Sequence, residues 1–444
     1  PNTMNEQVSV EFQKFNDNIC NLVNVCCPLL KVKSNSNNLS LMHNTNLMEM
    51  SEEKKHFHLL HKLTGENMTG DLIKDPTQIA NAFNDYFTSI SANYQVHPND
   101  DDAMKLLKKT VIPPNSKFSF QTIDLQQLER VINELNLSKF DDNDSIPSFV
   151  FKDYFSIIGP QLLKLTNKCI ACNTYPDFLK IATVSPIYKK KRFFEQGQFL
   201  HCNQFGFRRK KSTLQAIHKL TECIYKALDQ GIPVASLHFD FAKAFDLINH
   251  KLLLKKLSYY LHSSAVDLIA SYLRNRKQRV KIDSIFGPVL SIVYGLSAGV
   301  PQGSILGPLF FIIFVNDMPG VYLARILIMT IAAEHEVSSW CAVNGLMINQ
   351  EKTQRIDYKT SYQKRSQTND VNSLGIIIDE TLNWSPHVLK VTSKINCMKW
   401  ALRNLSKVLS LPSCLMYYHA NIISHLRYGL VLWGLNHYCS TTFP

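Results

Sequence analysis

"AGVPQGSILGPLFFIIFVND", residues 298–317, joins two kinds of sequence that soluble chains usually keep apart. A Gly–Val–Pro–Gln–Gly turn runs directly into a strongly apolar stretch, which stops at Asn316–Asp317. Proline fixes its own φ and glycine admits close backbone approach, so the chain around Gln302 is rigidly shaped. A shaped polar turn leading into a buried segment predicts that something docks on the turn. The run Ile305–Val315 contains Gly307–Pro308 and is well short of the ~20 apolar residues that span a bilayer. A second apolar stretch, "YLARILIMTIAA" (322–333), is also short and carries Arg325, so no membrane span is expected.

Outward from this stretch, 444 residues suffice for two or three domains, and 45% hydrophobic with 19% charged residues is ordinary for a globular chain. Lysine plus arginine (48) exceed aspartate plus glutamate (36), a net charge of +12 that favours a polyanionic partner. The distribution is sharper than the total. No acidic residue follows Glu380, while Lys390, Lys394, Lys399, Arg403, Lys407 and Arg427 do. Further basic knots are Lys189–Arg192, Arg208–Lys211 and "RNRKQRVK" (274–281). The eleven cysteines are scattered, with Cys169/Cys172 at C-x-x-C spacing but no zinc-type second pair, so reduced thiols and an intracellular setting without a signal peptide are expected.

Residues 1–50, rich in Asn and Ser, predict a flexible lead-in. Asp75 before Pro76 predicts a capped helix with Ile79, Phe83, Phe87 and Ile90 on one face. Between Ser212 and Asp229 a helix places Leu214, Ile217, Leu220, Ile224 and Leu228 together. Near the end, Val391, Ile395, Met398, Leu402, Leu405 and Leu409 make an apolar stripe with basic residues around the remainder. Helices alternating with short strands, as in "VASLHFD" (234–240), predict an α+β protein.

"HFDFAKAFDLINH" (238–250) carries the chemistry. A strand delivering Asp240 to its end presents a carboxylate where a hard cation such as Mg2+ can sit, together with substrate phosphates. Phe245 is near enough in sequence to wall a nucleotide pocket, and Asp246 is expected to cap the helix that follows.

Four stretches in order, "NQFGFRRKKST" (203–213), "HFDFAKAFDLINHKLLLKKL" (238–257), "SYLRNRKQRVKI" (271–282) and "GVPQGSILGPLFFIIFVND" (299–317), resemble the reverse transcriptase of non-LTR (LINE or jockey-type) retrotransposons. The likeness continues through "WCAVNGLMINQEKT" (340–353) and "LGIIIDETLNWSPHV" (374–388) and covers roughly residues 50–435. It implies a right-hand polymerase: an N-terminal helical extension over 51–140, fingers over 141–231, a palm with an antiparallel sheet over 232–380, and a basic helical thumb over 381–437. It also implies roles. Asp240 binds two Mg2+ ions with the Phe241 carbonyl beside it, and Phe245 is the steric gate against a ribose 2′-hydroxyl. Gln302 contacts the incoming dNTP while Gly303 lets the backbone approach, and Lys352 lies near the leaving pyrophosphate. Arg208, Arg209, Lys210 and Lys211 meet template or triphosphate. Lys390, Lys394, Lys399, Arg403 and Lys407 grip the backbone of an RNA–DNA or DNA primer duplex on the RNA template.

Two departures qualify the likeness. The paired-aspartate box expected before "WC…N" is missing: "MPGVYLARILIMTIAAEHEVSSWC" (318–341) contains no Asp–Asp, and Glu334 and Glu336 are its carboxylates. The Asn-Tyr-Arg-Pro-Ile box expected after Arg192 is also absent, "RFFEQGQFLHC" leading straight to Asn203. The expectation is therefore an RNA-directed DNA polymerase by family, impaired or inactive in this copy. The alternative is a dead relic that still binds RNA or RNA–DNA duplex.

Overall fold

The computed structural model describes residues 2–26, 75–93, 98–111, 113–114, 116–135, 148–184, 200–201, 203–208, 211–284, 287–301, 304, 306–318, 331–359 and 369–434. The helices in chain order begin with α1 (Asn2–Cys26), α2 (Pro76–Asn93), α3 (Asp100–Thr110), α4 (Leu125–Asn133), α5 (Ser148–Asp153), α6 (Phe155–Ala171), α7 (Thr213–Asp229) and α8 (His250–Tyr260). There follow α9 (Ser263–Leu273), α10 (Leu306–Phe314), α11 (Ile331–Asn344), α12 (Ser385–Leu405), α13 (Leu411–Tyr417), α14 (Ser424–Arg427) and α15 (Leu430–Trp433). The strands are β1 (Ile181–Val184), β2 (Ala235–His238), β3 (Phe241–Ala242), β4 (Lys277–Ser284), β5 (Gly287–Leu290), β6 (Tyr294–Gly295), β7 (Met347–Ile348), β8 (Gln354–Asp357), β9 (Asp370–Ser373) and β10 (Ile376–Asp379). The α+β class expected from the sequence is observed. The chain forms two compact units, each assembled from interleaved segments: 1–95, 114–190 and 245–301 in the first, 96–113, 191–244 and 302–444 in the second.

The first unit is built on β4, which pairs in parallel with β1 and antiparallel with β5 and β6. Asp75 caps α2 by accepting from the Thr77 and Gln78 amides, and the expected stripe covers the sheet: Ile79, Ala80 and Phe83 pack against Val280 and Ile282. Asn84, buried at this contact, donates to the Ile292 carbonyl at 2.8 Å and accepts from Gln278 at 3.3 Å. Where composition predicts a flexible lead-in, residues 2–26 instead form α1, tied to α6 by a Lys168–Glu11 ion pair at 2.6 Å. Composition undervalued this stretch because its polar residues fall on the outer face of an amphipathic helix. The basic knot 274–281 is also corrected: Arg276 and Lys281 are buried, Arg276 lying over the Tyr272 ring, while Arg274 and Lys277 stay exposed. Helix α8 is capped by Asn249, whose side chain accepts from the Leu252 amide, and not by Asp246. Three residues separate the two candidates, and Asn249 is the one that sits directly before the first helical turn.

Among the described residues of the second unit every strand pairing is antiparallel: β2 with β8, β3 with β7, and β9 with β10. One apolar core joins α7, the strands and α12, with Ile217, Ile224, Ile356, Ile376, Ile378, Val388, Val391 and Ile395 buried together and Met398 and Leu402 packed on them. Both predicted stripes thus face the core, although Leu409, at the far end of the second, is exposed. The apolar run forms α10, with Phe310, Ile312 and Phe314 fully buried and Phe311 edge-on to Phe241 of β3. Asn316 and Asp317 are buried as well, and Asn316 accepts from the His201 amide at 2.8 Å, so the polar end of the run is an internal anchor. No helix among the described residues is long and apolar enough to cross a membrane. Cys169, Cys172, Cys223, Cys341, Cys397 and Cys414 are free, and burial pushes the Cys169 thiol up to about 11.

Candidate active site

Strand β2 enters the core through Ala235 and Ser236 and leaves it at His238. Two residues later, between β2 and β3, stands Asp240, whose carbonyl accepts from the Asn349 amide at 2.8 Å. That bond locks the strand end to the β7–β8 connection, where the Asn349 side chain accepts from the Lys352 amide and shapes the turn Gln350–Lys352. The turn aims Lys352 back across the sheet, and its ammonium donates to Asp240 Oδ2 at 3.1 Å. Both side chains are more than half exposed, so the pair faces solvent. The structure therefore brings together Asp240 and Lys352, which are 112 positions apart.

Beneath the pair lies a polar network that sequence reasoning missed. Ser236 Oγ lies 2.7 Å from His238 Nε2 and 2.8 Å from the Tyr358 hydroxyl, while His238 Nδ1 meets Ser373 Oγ at 3.1 Å. These bonds join β2 to the residue after β8 and to β9, fixing the strand that carries Asp240. Burial pushes His238 down to about 4 and Tyr358 up to about 12, so both are neutral near pH 7. The one available signal was the Ser-x-His spacing of 236 and 238, which places both side chains on one strand face. Phe241, after Asp240, packs on Phe239, Phe311 and Trp340 at ring distances of 5.6, 6.5 and 6.4 Å.

Phe245 belongs to the first unit, in the turn after β3. Its carbonyl accepts from the Val300 amide at 2.8 Å, the Gly299 amide donates to Ile248 at 2.8 Å, and His250 Nε2 donates to the Gly299 carbonyl at 2.6 Å. Gly299 has φ +81, and a Cβ there would lie 2.9 Å from the Asp246 carbonyl oxygen. The rigid shape read from the sequence thus serves a backbone clasp between 245–250 and 299–300. Gln302 and Gly303 lie outside the described residues, as do Arg209, Lys210 and the whole of 319–330.

Arg208 is half-buried and donates to the His201 and Gln204 carbonyls, holding its own loop together. Lys211 is exposed, with its ammonium over the Phe205 ring. Lys390, Lys394, Lys399, Arg403 and Lys407 are all exposed, on α12 and just beyond it.

A two-ion site needs several carboxylates converging on ions ~4 Å apart. Among the described residues no three His, Cys, Asp or Glu side chains converge in this way. Asp240 is already paired with an ammonium, and 318–333 contains no acidic residue. The described residues around Asp240 do not fit a two-magnesium centre.

Residues 184–378 match the family described as reverse transcriptase (RNA-dependent DNA polymerase). The chain is 28% identical over 273 residues to a probable RNA-directed DNA polymerase from transposon X-element of Drosophila melanogaster, covering 52% of this chain and 29% of that relative. To the probable RNA-directed DNA polymerase from transposon BS of the same fly it is 22% identical over 440 residues, 82% of this chain and 48% of the relative. To the RNA-directed DNA polymerase from mobile element jockey of Drosophila funebris it is 27% identical over 273 residues, again 52% and 29%. The chain thus spans half or less of the length of these relatives. The matched stretch runs from the end of β1 into β10 and contains the Asp240–Lys352 pair, the Gly299 clasp and α10, and through it the chain is similar to the reverse transcriptases of non-LTR retrotransposons.

Proposed function

We propose that the chain is the polymerase module of a non-LTR element, built to extend a DNA primer on an RNA template and strongly impaired in its present sequence. The observation that carries the reading is Asp240 at the β2–β3 junction, held opposite Lys352 inside the family-matched stretch. In this reading β2, β3, β7 and β8 are palm, the loop 203–211 with α7 belongs to the fingers, and α12 is thumb. Phe245 crowds the sugar of the incoming nucleotide, Gln302 and Gly303 lie against it, and the Phe241 carbonyl faces it. Lys352 offers positive charge to its leaving end. Lys211 and the α12 cations hold phosphates without reading sequence.

Reverse transcriptases generally use Mg2+. Here a single aspartate, already neutralised by Lys352, cannot supply the negative field that two ions require, and low activity follows from that charge count. Primer extension by the full chain on an RNA template with an annealed DNA primer, dNTPs and Mg2+ tests the reading. Extension should run at least about 100-fold below that of the jockey polymerase assayed alongside. Asp240→Asn should remove the remainder. A hairpin carrying Asp–Asp, inserted between Val321 and Ser338, should restore part of it. A native rate comparable with jockey's would overturn the impairment, and no gain from the insertion would overturn the polymerase assignment.

A further inference from the structure

Helix α12 buries Val391 and Ile395, with Met398 and Leu402 packed beside them. At 3.6 residues per turn, Trp400 falls on the opposite side, and it is 70% exposed. Arg403 is its neighbour one turn on, Lys399 and Arg403 are spaced i,i+4, and Lys407 follows, all exposed. Beyond Glu380 no acidic residue offsets them.

We propose that Trp400, framed by Lys399, Arg403 and Lys407, is a stacking platform for a base of single-stranded nucleic acid. The inference rests on the reading of the α12 cations as phosphate contacts and adds a different ligand. Gripping a duplex backbone needs cations alone, whereas a solvent-facing indole among cations matches an unpaired base with its flanking phosphates. A second copy of this chain would bring like charges together across the contact. An anionic bilayer would need a broad apolar face, and the outward side of α12 carries Leu389 and Trp400 among Ser393, Asn396, Cys397 and Asn404.

The four tryptophans make the test direct, because Trp340, Trp384 and Trp433 are at most 4% exposed. Intrinsic fluorescence of the full chain should be quenched by a single-stranded oligouridylate of about 15 nucleotides. Trp400→Ala should weaken that binding about tenfold, Trp400→Phe should keep most of it, and affinity for an RNA–DNA duplex of the same length should stay within about twofold in both variants. Lys399→Ala with Arg403→Ala should weaken both ligands and reduce their salt dependence. Unquenched fluorescence at saturation, or equal single-strand affinity in Trp400→Ala, overturns the platform while intact duplex binding leaves the polymerase reading standing. Failure to bind either oligonucleotide removes both. A Trp400→Ala chain that changes its sedimentation, or native fluorescence that shifts to the blue only with phosphatidylserine vesicles, assigns the face to a second copy or to a bilayer and also overturns the proposal.

Discussion

Asp379 is fully buried, and its carboxylate accepts four hydrogen bonds: from the Thr381 amide and hydroxyl, the Asn383 amide and the Trp384 amide. Together they fold the chain from β10 into α12, with Trp384 held at φ +65. Removing the acceptor leaves several amides unsatisfied in the interior, so Asp379→Ala should cost roughly 3 kcal/mol or more, and Asp379→Asn distinctly less. Denaturant midpoints of the two variants check this; equal, small losses would show that the turn is held by packing alone. In the sequence this aspartate sits inside "LGIIIDETLNWSPHV" and looks no different from a surface acid. Its role depends on amides that converge only after the turn closes. Asp240 was legible for the converse reason, because a strand ending on an acid within the ordered motifs needs no distant partner to be noticed.

At the scale of elements, Gly299 is held at φ +81 against the backbone of 245–246. Gly299→Ala should cost about 2 kcal/mol from the left-handed backbone alone, with the contact to the Asp246 carbonyl oxygen adding to it. Hydrogen exchange at Gly299, Val300 and the amides of 245–250 should accelerate while β9–β10 is unaffected; a uniform change would mean that the clasp is not a local device. Elements with regular apolar spacing were readable in advance. Helix α7 begins at Ser212, which makes a reciprocal capping box with Gln215, and α2 begins at Asp75. What escaped were features set by distant partners. Strand β1 pairs with β4, joining Ile181 to Lys277, and nothing local in "IATV" announces that choice. Likewise Arg276 and Lys281 counted among the basic sites for a polyanion, and their burial beside Tyr272 and within the sheet is a property of the packed unit.

Across the molecule, two buried histidines link stability to pH. Burial pushes His238 down to about 4, and burial together with the nearby Lys390 charge does the same for His387, both from an ordinary value of 6.5. The unfolded chain therefore binds protons below pH 6.5 that the folded chain refuses. Their contribution to stability is complete above that pH and is lost as pH falls toward 4. Denaturant midpoints should drop between pH 6.5 and 4.5, and the double variant His238→Gln, His387→Gln should flatten that dependence. A native profile that is level or rises toward acid would contradict it.

The interleaving of the two units sets an order of events during synthesis. Every segment of the first unit has been translated once the ribosome passes residue 301, whereas the second still lacks 302–444. Strand β3, adjoining Asp240, cannot meet β7 until residue 348 exists. At ordinary translation speeds of about 5–20 residues per second, that strand waits about 5–20 seconds for its neighbour. For most of that wait α10 is still unmade, and for nearly all of it Trp340, so Phe239 and Phe241 lie uncovered and the nascent chain is most open to capture by chaperones while the strand beside Asp240 is still unpaired.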